Sequence, residues 1–294
     1  MSEVPVIAPG VGRAGVRRRD RLSRRIRRTP PAVIGAVLVA GVVVVAAAAP
    51  LLAPHDPVAQ IATPLLQPGG SFLGGTDQLG RDEMSRIIFG ARVSLYVGVL
   101  SVAVALALGG TSGVLAGFYG GWIDNVTMRV MDVLFSLPAL ILAIAITAVL
   151  GPSLTNVMLA IGIVYAPTFA RIARGPTLAV VRLPYVEAAR AIGASTPAIL
   201  LRHIVPNVSA PLLVQTTVSL STAILTEAAL SFLGLGTQPP TPSWGLMLSD
   251  ARQYMLIDPW IAVLPGLAIA VTVLGFNLFG DGLRDILDPR IRTI

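Results

Sequence analysis

Six apolar runs divide this chain, at residues 32–52, 92–118, 130–150, 157–172, 206–235 and 260–280. The hydrocarbon layer of a bilayer is roughly 30 Å thick, so about 20 predominantly apolar residues are needed to cross it as a helix. Inside that layer every backbone N–H and C=O must be satisfied within the segment itself, which makes helices the expected form. Composition points the same way: 54% of the 294 residues are hydrophobic and 13% are charged, a ratio foreign to water-soluble domains. The expected fold class is an all-α polytopic membrane protein with six transmembrane helices. There is no cysteine, which excludes disulfides, thiolate chemistry and Cys-ligated metals.

Charge gives the orientation. All 22 basic residues are Arg, and nine fall within residues 1–31, among them Arg17-Arg18-Arg19, Arg24-Arg25 and Arg27-Arg28. This segment reads as a basic tail held at an anionic membrane surface, with no motif or aromatic residue for nucleic acid. Residues 32–53 then form a first transmembrane helix, longer than the core of a signal peptide and so expected to be retained. Residues 54–91 form an extracytoplasmic connector, 92–282 a five-helix core and 283–294 a second tail. With both tails, the 120–129 loop, the 175–205 loop and the adjoining span end at Arg171 and Arg174 on one side, that side carries 18 Arg and the other four. The Arg-rich side is expected to be cytoplasmic, in a bacterial plasma (inner) membrane.

One polar stretch interrupts the apolar pattern: residues 185–207, YVEAARAIGASTPAILLRHIVPN. It reads as two short helices. Pro184 suits the first turn of one, and Glu187 suits the positive end of its dipole. Gly193 reaches left-handed dihedrals at little steric cost and is a natural stop. Ser195 or Thr196 caps the second helix, with Pro197 in its first turn and Arg202 in its last, before Pro206 breaks the pattern. The spacing Glu187-Ala188-Ala189, three residues, Gly193, and on to Pro206 resembles the EAA loop of binding-protein-dependent ABC importer permeases. His203 stands where that pattern has Ile, and Val205 where it has Leu.

Two further runs, GTDQLGRD at 75–82 and TEAALSFLGLG at 226–236, resemble the dipeptide/oligopeptide C-type subunits of that family. So does the tail from Asp281 to Arg290. The resemblance implies a MetI-like ABC importer permease fold and a subunit that pairs with a homologous B-type permease. It also implies two ABC ATPase subunits (or a heterodimer), an extracytoplasmic substrate-binding protein and a peptide substrate. Glu187, Ala188, Ala189, Gly193 and Pro206 would then couple the spans to the ATPases, with the two alanines permitting close approach. A nickel or haem importer would use the same architecture.

Little else offers chemistry. The Gly-rich piece at 74–82 lacks the Lys-Ser/Thr of a phosphate-binding loop, and its acids and His55 lack metal-ligand spacing. The chain is therefore expected to be a transporter subunit with no catalytic residue and no bound cofactor, ATP and Mg residing on the ATPases. Glu227 is the exception to the apolar pattern. An acid inside a span must face protein or a wet cavity; the preferred reading is a helix-to-helix hydrogen bond, the alternatives a part in substrate passage or the ion site of a secondary transporter. Gly109, Gly110, Gly113 and Gly117 are expected to give the second span a face that another helix approaches closely. Pro138 is expected to kink the third, and Asp132 to pair with Arg129 one turn away.

Overall fold

The computed structural model describes residues 30–287. Most of the basic tail at 1–31 and of the tail at 283–294 therefore lies outside the described residues. The named elements among the described residues are all helices, in the order α1 (Pro30–Ala47), α2 (Ala49–Leu52), α3 (Glu83–Ala105), α4 (Thr111–Tyr119), α5 (Gly121–Phe135) and α6 (Ala139–Leu150). Then come α7 (Leu154–Val180), α8 (Pro184–Ala191), α9 (Thr196–Ile199), α10 (Val205–Phe232), α11 (Trp244–Ala251) and α12 (Trp260–Leu287). Five helical stretches among the described residues are long and apolar enough to cross a membrane, and α5 with α6 makes a sixth if that bent pair counts as one span.

Several boundaries differ from the sequence expectation. The second span begins at Glu83, well inside the expected connector, because Asp82 caps it: its carboxylate accepts from the Ser85 amide at 2.9 Å. It runs to Tyr119 through one π turn, Leu106–Gly110. The expected loop at 120–129 is helix α5, and the kink at Pro138 is a 90° break between α5 and α6. Proline lacks an N–H and disfavours helix at the residue before it, which ends α5 there. Pro206 does not break its helix. A π turn, Leu200–Ile204, joins α9 to α10, so Thr196–Phe232 is one 37-residue helical stretch with Pro206 in the first turn of α10.

Three apolar clusters hold the bundle together. One joins α3, α6, α7 and α10 around Val97, Ile161, Phe169 and Leu230. A second joins α1, α3, α10, α11 and α12 around Ile224, Trp244 and Phe276. The third, around Val180, Val186, Ile199 and Ile204, ties α8 to α4, α7 and α10. The glycine face on α3–α4 is used as expected at three of its four positions. A Cβ on Gly109 or Gly113 would strike the carbonyl oxygen of Ala166 or Ala170 on α7, and one on Gly117 would lie 2.8 Å from the Thr177 Cβ. Gly110 faces its own helix at Leu106 instead.

Candidate functional site

The 184–204 region is built on a helix stop. Gly193 sits at φ +79°, Ala194 N–H donates to the Ala189 carbonyl and Gly193 N–H to that of Arg190, both at 3.0 Å. These are the two bonds of a Schellman motif, and they use carbonyls that the end of α8 would otherwise leave unpaired. No neighbour lies within 4 Å of a Cβ placed on Gly193, so the restriction there is conformational rather than steric. The turn sends the chain back toward α9, where Ser195 holds the cap position without a side-chain bond and Pro197 lies in the first turn.

Helix α8 has two faces. Val186 and Ala189 turn inward onto the third cluster, while Glu187, Ala188, Arg190 and Ile192 face out. Of the two alanines, Ala189 packs on its own chain and Ala188 is exposed. Ile192 was missed from the sequence. It is 85% exposed at the end of α8, a large apolar side chain that nothing among the described residues covers. Helical spacing did not announce it, since 192 follows buried Ala189 by three residues; its exposure comes with its place as the cap residue after α8.

The base of this region is fixed to the spans. Arg190 places its guanidinium 5.2 Å from the Phe118 ring centroid. Asn207 donates to the His203 carbonyl at 2.6 Å and to the Tyr185 hydroxyl at 3.3 Å. The His203 ring, at the position that departs from the EAA pattern, lies 5.8 Å from that of Tyr185. Helix α5 is held to α7 by two ion pairs. Arg174 binds both carboxylate oxygens of Asp124, at 2.5 and 2.6 Å, and Arg171 binds Asp132 at 2.8 Å. Asp132 thus pairs across helices with Arg171, not with Arg129 one turn away.

Glu227 lies elsewhere, fully buried in α10. The Ser231 hydroxyl donates to one carboxylate oxygen at 2.7 Å, and the Ser94 hydroxyl of α3 donates to the other at 3.3 Å. The latter is the helix-to-helix bond the sequence suggested. Ser231 Oγ also accepts from the Thr237 amide at 3.1 Å, which extends the network into the connector after α10. That connector is not a free polar loop. Its helix α11 is wedged among α3, α10 and α12, with Trp244 donating its indole N–H to the Ile87 carbonyl at 3.0 Å.

A charged cluster beside α11 was also missed. Asp77, Arg81, Glu83 and Arg86 are all buried, and both arginines approach Asp250 at the end of α11, at 3.8 and 3.7 Å. Arg81 Nε donates to Asp77 at 2.5 Å. The sequence run GTDQLGRD therefore folds back on the start of α3 and clamps it to α11. Nothing local announces that Asp250 belongs to the same cluster.

Residues 109–293 match the family described as "Binding-protein-dependent transport system inner membrane component". Residues 20–68 match the "N-terminal TM domain of oligopeptide transport permease C". A dipeptide transport system permease protein of Alkalihalophilus pseudofirmus is 43% identical over 92% of this chain and 89% of its own length. Glutathione transport system permease proteins are 45% identical in Pectobacterium atrosepticum, over 92% of this chain and 90% of theirs, and 48% in Escherichia coli O1:K1 / APEC, over 92% and 89%. Among solved structures, the inward-facing MetNI methionine ABC transporter matches with a TM-score of 0.55 and 20% identity, over 69% of this chain and 97% of that one, a likeness of fold. These relatives are transport subunits, not enzymes. The chain belongs to the binding-protein-dependent ABC importer permeases, in their dipeptide/oligopeptide C-type group.

Proposed function

We propose that this permease subunit imports dipeptides or short oligopeptides as one half of a heteromeric pathway, paired with a homologous B-type permease. The observation that carries the cargo class is the likeness, at 43–48% identity across nearly the whole chain, to permeases named for dipeptide and glutathione transport. In this reading two cytoplasmic ATPases, which hold ATP and Mg, dock on the 184–204 region, and an extracytoplasmic binding protein delivers cargo to the other face. Glu187, Ala188 and Ile192 form the contact, and the Gly193 turn holds α8 in the pose that meets it. Because α8 shares a buried cluster with α4, α7 and α10, displacing it biases two packings of the spans, which is how nucleotide state would select inward-open or outward-open forms. Glu227 is a structural acid here: both its oxygens accept bonds from serines, which leaves it a poor ion site for a secondary carrier.

The test is uptake by the assembled importer in proteoliposomes. Uptake of a labelled dipeptide that needs hydrolysable ATP inside and the binding protein outside supports the reading. Transport of nickel or haem with no dipeptide uptake replaces the cargo. Orientation is tested separately. With Arg190→Cys in this otherwise cysteine-free chain, an impermeant thiol reagent added to intact cells should leave position 190 unlabelled; labelling would invert the topology.

A further inference from the structure

Helix α10 carries polar side chains at 215, 219, 222 and 226, and spacings of four, three and four place them on one face. At about 1.5 Å per residue the stripe runs roughly 16 Å along the middle of the span. It is linked along its length. Gln215 donates to Ser219 Oγ at 3.0 Å, and Thr226 donates to the Thr222 carbonyl at 2.8 Å. It also reaches a second helix, because the Tyr165 hydroxyl of α7 meets Thr226 Oγ1 at 2.9 Å. Thr222 is exposed and Gln215, Thr226 and Tyr165 are half-exposed, while Ser219, which takes the Gln215 bond, is buried.

Polar groups at mid-membrane depth belong against protein or water, not lipid. The outward positions of α12 show what a lipid-facing surface of this chain looks like: Val263, Leu267, Val271 and Leu274, all 41–54% exposed and all aliphatic. The α10 stripe breaks that rule over several turns. Its threonines already spend their hydroxyl protons on their own helix, so Thr222 turns its lone pairs outward, while Thr226 accepts from Tyr165 and Gln215 offers an amide. No charge lies on it.

We infer that the Gln215–Thr226 face of α10, with Tyr165 of α7, is this subunit's wall of the translocation path. The inference rests on the peptide-import reading for its cargo and on membrane physics for its place. A neutral wall of hydroxyl and amide groups exchanges hydrogen bonds with peptide backbone whatever the side chains carry, so it passes peptides of either charge.

The experiment uses the reconstituted importer with Thr222→Cys, Thr226→Cys or Val271→Cys as the only accessible thiol. The probe is a charged methanethiosulfonate, applied without nucleotide and with ATP. Thr222→Cys and Thr226→Cys should react at least ~10-fold faster than Val271→Cys in one of the two states, and dipeptide-loaded binding protein should slow the reaction. If both react as slowly as Val271→Cys in both states, the stripe is sealed against the second permease and the inference falls. If both react quickly and another cargo protects them while dipeptide does not, the wall stands and the peptide reading falls.

Discussion

The region around α8 and the knot around Glu227 are both polar interruptions of an apolar chain, yet they are built in opposite ways. The knot is closed: a fully buried acid, serines from two helices and a backbone amide bonded to one another, with α11 packed alongside. The α8 region is open. It rests on Val186 and Ala189, ends in a two-bond turn, and leaves Glu187, Ala188 and Ile192 to the solvent. Removing one partner from a closed knot strands the rest, whereas altering an open surface costs the fold little. The difference separates what holds this bundle together from what can be moved by an outside partner.

The largest expected effect breaks the knot. Glu227→Leu orphans two buried serine hydroxyls at about 1–3 kcal/mol each. The yield and melting temperature of the detergent-purified complex should fall sharply, while Glu227→Gln, which still accepts bonds, should stay near wild type. If both variants assemble normally and neither transports, the acid acts in passage and the contrast fails. Next comes Ile192→Asp, which should leave melting unchanged but weaken ATPase co-purification by about tenfold or more, since burial of such a side chain is worth roughly 1.5–3 kcal/mol. Normal docking would remove Ile192 from the contact. A smaller effect is expected for Gly193→Val, strained by roughly 1–2 kcal/mol at positive φ. Binding-protein-stimulated ATP hydrolysis should fall several-fold, with Gly193→Asn milder because Asn tolerates this conformation. Equal loss in both variants would point to contact rather than backbone. The smallest is Asp132→Asn: its pair with Arg171 is half-exposed on both sides, and the melting shift should correspond to less than about 1 kcal/mol.

The number and rough position of the spans were legible because bilayer thickness imposes a length on apolar runs. So was the Gly193 turn, where a glycine after an amphipathic segment leaves few conformations. Span ends were less legible. Arg86 looked too polar for a helix entering the membrane, because its partners Asp77 and Asp250 come from outside that helix. The first part of α5 falls in the segment expected to be a loop, and its Asp124 is satisfied fifty residues away at Arg174. The Ser94 bond to Glu227 crosses 133 residues, a pairing that no local pattern encodes. For the candidate site the motif located the region, but only three-dimensional packing separated Ala188 from Ala189 and brought out Ile192.

The glycine seam between α3–α4 and α7 has a mechanical consequence. Where the atoms of one helix meet the backbone carbonyls of its neighbour over three successive turns, there is no compliant layer of side chains to absorb sliding. The two spans are therefore expected to travel as a single stiff strut. The chain of α7 leads directly into α8, so a push delivered at α8 would reach the far mouth of the bundle undamped. Spin labels at the outer ends of these two helices should then hold one separation through the whole nucleotide cycle, while their distance to the second permease changes.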